Sequence, residues 1–178
     1  MAYRARNHKH FRTRPELARD LAIVMASPVT EGTKYGVFRD VAWTWTEGDG
    51  KYEGVSHWSK LALSLCRSNG GKKHGLRHEH ATPIKVLYEL VRPVCEDDQP
   101  ETVDAVFRLL DDLNIAVIIT LTEQRMLDAS YRDSMPSQFN DPASDNYRNP
   151  MLRFSECPKI EVVELQPSKL KQIVRGDG

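Results

Sequence analysis

Ile115-Ala116-Val117-Ile118-Ile119 is a continuous apolar, largely β-branched run, followed at once by Thr120-Leu121-Thr122-Glu123. A run of this length without alternation reads as a strand buried on both faces. Thr120 and Glu123 stand at capping-box spacing, which predicts a helix from there to about residue 132. Upstream, Pro100-Glu101 opens a segment in which Val103, Val106, Phe107 and Leu110 recur at helical spacing, with acids in the first turn where the helix dipole favours them. Helix, buried strand and helix in immediate succession call for an α/β or α+β domain.

The remaining elements fit that class. Pro15, with Leu17, Leu21, Val24 and Met25 behind it, predicts a helix over 15–26 that stops before Pro28. Residues 27–34 read as loop. Residues 35–46 are rich in Val, Phe, Trp and Thr and read as a strand, with Trp43 and Trp45 on one face. Glu47-Gly48-Asp49-Gly50 then turns the chain toward a short partner over 51–55, giving a hairpin. Ser56 is the expected cap of a helix lined by Trp58, Leu61, Leu65 and Cys66 and stopped at Ser68-Asn69-Gly70-Gly71. Thr82 and Pro83 are the expected N-cap and first residue of a helix with Ile84, Leu87, Tyr88 and Val91 on its apolar face, closed at Arg92-Pro93. Residues 134–158 form a long loop anchored by Phe139, Tyr147, Met151 and Phe154. A strand over 160–165 and a short helix from Pro167 complete the chain. The expectation is a single domain over 15–178 with a small sheet or hairpin and five or six helices, preceded by a flexible basic arm over 1–14.

Composition narrows the function classes. Of 178 residues, 40% are hydrophobic and 28% charged, the balance of a chain that folds in water. No apolar run reaches the roughly 20 residues needed to span a bilayer. The amino terminus lacks the order of a secretory signal, so no membrane partner and a cytoplasmic location are expected. Cys66, Cys95 and Cys157 are odd in number and far apart, which indicates reduced thiols rather than a disulfide framework or zinc ribbon. Formal charge is zero, yet residues 1–92 hold sixteen Lys and Arg against nine acids, and residues 93–178 reverse those numbers. That layout suits an anionic partner at one half and a basic partner at the other, or two halves that attract each other when packed.

The densest set of reactive side chains is Lys72-Lys73-His74-Gly75-Leu76-Arg77-His78-Glu79-His80, which holds three of the six histidines. On an extended chain His78 and His80 share a face with Glu79 opposite. Two imidazoles so placed can hold one metal, with His74 brought round through Gly75 as a third ligand. The competing reading gives the histidines structural roles beside the helix start at Thr82-Pro83. Likewise Trp43, Trp45, Tyr52, His57 and Trp58 form either a core layer or, beside Lys51, Lys60 and Arg67, an aromatic platform for bases or a protein.

Glu79-His80-Ala81-Thr82-Pro83 resembles the first motif of the HNH (ββα-metal) endonucleases. The resemblance implies His80 as general base activating water, with Glu79 or His78 helping to hold a divalent metal against the scissile phosphate. The chain departs from that pattern in having no histidine after His80. A further Asn, such as Asn114, Asn140, Asn146 or Asn149, would have to serve through a different topology.

These features converge on a nucleic-acid-associated protein of prokaryotic type. The sharper form is a metal-dependent phosphodiesterase or endonuclease with His80 and Glu79 as catalytic residues and His74, His78 and His80 as ligands of zinc, manganese or magnesium. Arg4, Arg6, Lys9, Arg12, Lys72, Lys73 and Arg77 would bind the nucleic acid. The alternative is a non-enzymatic inhibitor or adaptor that engages a basic protein partner through the acidic stretch 96–112. The sequence sets no oligomeric state.

Overall fold

The computed structural model describes residues 12–96, 101–156 and 160–166. They form seven α-helices and a small mixed sheet in one α+β arrangement. In chain order the elements are α1 (Arg14–Ala26), α2 (Glu31–Glu47), β1 (His57–Ser59), α3 (Lys60–Ser68), β2 (Leu76–His80), α4 (Ile84–Glu96), α5 (Thr102–Leu113), β3 (Ala116–Thr120), α6 (Leu121–Tyr131), a 3-10 turn (Ser137–Asn140), α7 (Leu152–Glu156) and β4 (Val162–Glu164). Arg4, Arg6 and Lys9, and the helix expected from Pro167, lie outside the described residues. Among the described residues, no helix is long and apolar enough to cross a membrane.

The strand predicted over 115–119 is β3, and it holds the centre of the sheet. It pairs antiparallel with β2 and parallel with β1, and β4 runs antiparallel along the far side of β1. Val117, Ile118 and Ile119 are fully buried, as an unbroken apolar run requires. Ile118 packs with Trp58, Cys66 and Leu76 under α3. Val117 and Ile119 pack with Leu127, Phe154 and Ile160 on the opposite face. A separate core joins α1, α2, α4 and α5 through Leu21, Phe38, Trp45, Val91 and Leu110.

Two of the strands pass into helices with no loop between. Ser59 caps α3 by accepting from Ala62 N at 3.0 Å. Thr120 caps α6, and Glu123 closes the predicted capping box. Glu123 is buried, and its Oε2 accepts from Thr120 N at 2.8 Å, Thr120 Oγ at 2.9 Å and Ser59 Oγ at 2.7 Å. One carboxylate thus ties both strand-to-helix junctions together. The cap of α3 is Ser59, not Ser56, because residues 57–59 continue into the sheet and place Trp58 in β1.

The largest correction concerns residues 35–46, which are helical and belong to α2. The residues are good strand formers, but Phe38, Val41, Ala42 and Trp45 are buried at steps of three, one and three. That is one helix face, and tertiary burial overrides the propensity. No hairpin forms; residues 51–54 are turn. Gly54 makes the turn possible, since a Cβ there would lie 2.5 Å from the Asp49 carbonyl carbon. Trp43 and Trp45, two residues apart on a helix, point to different sides: Trp45 packs on Phe107, and Trp43 faces the sheet.

A second correction concerns Pro93, which does not end α4. Pro93 is exposed, so the Glu89 carbonyl it leaves unbonded can be hydrated, while the buried Val91 and Cys95 on either side hold the helix to the core. Nor does the Thr82 hydroxyl cap the helix: it is buried with no hydrogen-bond partner, and the first turn closes from Leu87 N to the Pro83 carbonyl.

The exit of β2 is held by Arg153, whose side chain is fully buried in α7. It donates to the carbonyls of His80, Ala81 and Tyr131 and to Glu79 Oε1 at 2.6 Å. Replacing Arg153 by Met would leave the Glu79 carboxylate and these carbonyls without their donors. We expect a loss of about 3–5 kcal/mol, read as a lowered urea midpoint with an unchanged m-value. The double variant Arg153→Met/Glu79→Gln should recover part of it.

Candidate functional site

Gly75, at φ 79°, turns the chain into β2, and the alternation of that strand decides where each candidate goes. Leu76, His78 and His80 are buried on one side, while Arg77 and Glu79 are half-buried on the other. The two imidazoles come together as the sequence predicts, with ring centroids 5.7 Å apart. Trp43 of α2 covers both. Its ring lies 5.1 Å from His78 at a 34° tilt and 4.5 Å from His80 edge to face.

The tautomer of His80 follows from its neighbours. Asn114, which ends α5, donates from Nδ2 to the Ala42 carbonyl at 3.1 Å. A carbonyl can only accept, so the other end of the amide is Oδ1, and it meets His80 Nδ1 at 2.8 Å. Nδ1 therefore carries the proton, and Nε2 keeps the lone pair. That nitrogen is buried and closes no hydrogen bond, and both ring nitrogens of His78 are in the same state. An unpaired buried polar group of this kind costs about 1–3 kcal/mol.

Burial holds both rings neutral. The pKa of His78 is lowered to about 3, chiefly by desolvation, then by competition with His80 for a proton and by the Lys51 charge. Backbone groups of Thr46 and of His78 itself oppose this without closing a hydrogen bond. The pKa of His80 is lowered to about 4, again by desolvation, against the bond from Asn114 and with a further push from Arg153. Each neutral imidazole offers one lone pair, so two of the three unpaired nitrogens can accept a hydrogen bond or ligate a borderline metal, and the third, on His78, carries an N–H.

The other predicted residues disperse. His74 is exposed on the turn before β2 and does not complete a triad; among the described residues no group of three or more His, Cys, Asp or Glu side chains could hold a metal ion. Glu79 points away from the imidazoles because it stands between them on a strand. It is engaged by Arg153 and accepts from Gln124 Nε2 at 3.2 Å, so the Glu79–His80 pair implied by the HNH resemblance does not converge.

Lys72 is exposed, Lys73 Nζ bonds the Gly71 carbonyl, and Arg77 Nη1 bonds the Leu76 carbonyl at 2.8 Å on the Glu79 side. Arg12 lies 3.8 Å from Asp20 and lines a cavity of about 670 Å³ with Trp45 and Phe107 in the helical layer.

The cations beside the imidazoles come instead from α2 and the turn after it. Lys51 Nζ sits 5.7 Å over the Trp43 ring and 3.5 Å from Glu47. Arg39, Trp43, Glu47 and Lys51 line a shallow cavity of about 330 Å³. A helical reading of 35–46 would have placed Arg39, Trp43 and Glu47 on one face at four-residue steps. Nothing in the sequence signals the Ala42–Asn114–His80 chain.

No family model, curated protein or solved structure matches the chain significantly. Its chemistry is read from the site itself.

The depressed histidine pKa values make stability depend on acidity. Above about pH 6.5 both rings are neutral whether folded or unfolded, and their contribution is fully present. As pH falls below that value the unfolded chain takes up protons that the folded rings refuse, so stability is lost on the way down to the folded values of about 4 and about 3. In metal-free protein the expected slope between pH 6.5 and 5 is up to about 1.4 kcal/mol per pH unit per histidine. Urea unfolding of wild type and of His78→Phe/His80→Phe measures it. The double variant should show the flatter profile.

Proposed function

We propose that the protein is a nucleic-acid-associated, metal-dependent phosphodiesterase whose divalent metal is held by His78 and His80. The observation that carries this reading is a pair of buried imidazole lone pairs without partners, one on each ring, that of His80 set at Nε2 by the Asn114 contact. A metal-ligating histidine commonly donates its second nitrogen to an oxygen acceptor that fixes ring and tautomer, and Asn114 Oδ1 stands in that relation to His80. Of zinc, manganese and magnesium, zinc suits imidazole nitrogen best.

When bound there, the metal would supply Lewis acidity toward a phosphate oxygen. The residues of the chain supply the rest. Asn114 holds the His80 proton at Nδ1, Trp43 walls the pair from solvent, and Lys51 and Arg39 offer positive charge where a phosphodiester backbone would approach. The reading keeps His80 and His78 from the HNH-like motif and omits Glu79 and His74. The buried thiols of Cys66 and Cys95, which form no disulfide, suit a reducing, cytoplasmic setting.

The rival reading, an adaptor for a basic partner, draws on Glu101, Asp104 and Asp112, which are exposed. It has less support, because Arg108 divides the row and Asp111 is bound to Arg14 at 2.8 Å.

Calorimetric titration with Zn²⁺, Mn²⁺ and Mg²⁺ tests the proposal. We expect one-to-one binding, weakened at least tenfold in His78→Phe and in His80→Phe, variants that retain a ring against Trp43. Metal-dependent cleavage of labelled DNA or RNA should be lost in parallel. A wild-type protein that binds none of the three metals would falsify the reading.

A further inference from the structure

Trp43 gives the site a second chemistry. The protein has three tryptophans; Trp58 is fully buried and Trp45 is 2% exposed, whereas Trp43 is half-buried. Its inner surface is occupied by His78 and His80, and the remainder opens on the cavity lined by Arg39, Glu47 and Lys51. The side chains of Arg39 and Lys51 are half-exposed, so both cations can reorient toward solvent. An indole packed against the imidazoles and capped only by the half-exposed Lys51 ammonium, with Arg39 also half-exposed beside it, is what a stacked base with its adjoining phosphates needs, once these cations leave the nearby Glu47 and Asp40 carboxylates. Behind it lie the unpartnered nitrogens of His78, a side chain more than nine-tenths buried.

We propose that this face selects single-stranded nucleic acid, with one unpaired base stacked on Trp43 in the position now covered by the Lys51 ammonium, and with Lys51 and Arg39 moved onto the phosphates. The inference deepens the nucleic-acid reading above and rests on it. A duplex is the poorer partner: its base faces are already stacked on one another, and Trp43 is half-buried, its ring held against His78 and His80.

Intrinsic fluorescence tests this directly, since Trp43 is the tryptophan a base can reach. Wild-type protein in EDTA is titrated with a twelve-residue oligothymidylate and with a twelve-base-pair duplex at the same salt. We expect fluorescence quenching by the single strand and affinity at least tenfold above that for the duplex. Trp43→Leu should lower single-strand affinity about tenfold, and Trp43→Phe should restore most of it. Arg39→Gln/Lys51→Gln, at exposed positions, should reduce the salt slope of binding by about 1.4.

Equal affinity for duplex and single strand, binding without quenching, or an unchanged affinity in Trp43→Leu overturns the proposal; should Trp43→Leu not fold, the strand comparison and the double charge variant still decide it. Because the titration contains no metal, its failure leaves the bis-imidazole reading to calorimetry. Conversely, single-strand binding by a protein that takes up no metal would retain this inference and remove the phosphodiesterase.

Discussion

Arg153 is the contact on which the geometry of the molecule turns. Its guanidinium is fully buried, and it meets three carbonyls and the Glu79 carboxylate at the point where β2 leaves the sheet. A buried cation is tolerated only when its donors are matched, and here the matching acceptors come from β2, from the segment leading to α4, and from the end of α6. One side chain therefore sets the angle at which the strand bearing the histidines departs toward the helical layer. It also takes Glu79 out of the functional chemistry, because a carboxylate paired in this way has little left to offer a metal or a substrate.

Asn114 plays the complementary part on the other face. Through a single amide it connects α2 at Ala42 with His80 on β2, and so couples the helical layer to the sheet at the imidazole pair. Glu123 does the same for the two strand-to-helix junctions. In each case a polar group is buried where layers meet, and its satisfaction fixes one relative placement. Among the described residues, the buried side-chain atoms left unpaired are nitrogens of His78 and His80 and the hydroxyl of Thr82, all within a five-residue stretch of β2 and the turn after it, which is why this stretch marks the candidate site.

Much of this was legible in the sequence where the signal was local. The β3 run, the Thr120–Glu123 capping box, the helix face from Val103 to Leu110 and the shared side of His78 and His80 all follow from short-range spacing, and each stands as expected. What misled was propensity set against burial. The Val, Trp and Thr of residues 35–46 favour strand in isolation, yet Phe38, Val41 and Trp45 carry a helical stripe that only the partner helices can reward. Pro93 marks an expected helix end that the burial of Cys95 overrides. The site's supporting residues were barely legible: Asn114 was one of four asparagines that could serve His80, with nothing to select it, and Arg153 gave no signal, since the two reach β2 across more than thirty and more than seventy intervening positions.

The order of the sheet has a kinetic consequence. Among the described residues none of its pairings joins neighbouring segments: His78 meets Ile118, Trp58 meets Ile118, and Trp58 meets Val163. Contacts of such high sequence separation incur their loop-closure entropy before they return any stabilisation. The α1–α2 and α4–α5 pairs, by contrast, are each close in sequence. The helical layer can gather early, and the sheet must wait for its distant strands. The imidazole pair, walled by Trp43 on one layer and carried by β2 on the other, is consequently among the last features to assemble, and it exists only in chains that have completed folding.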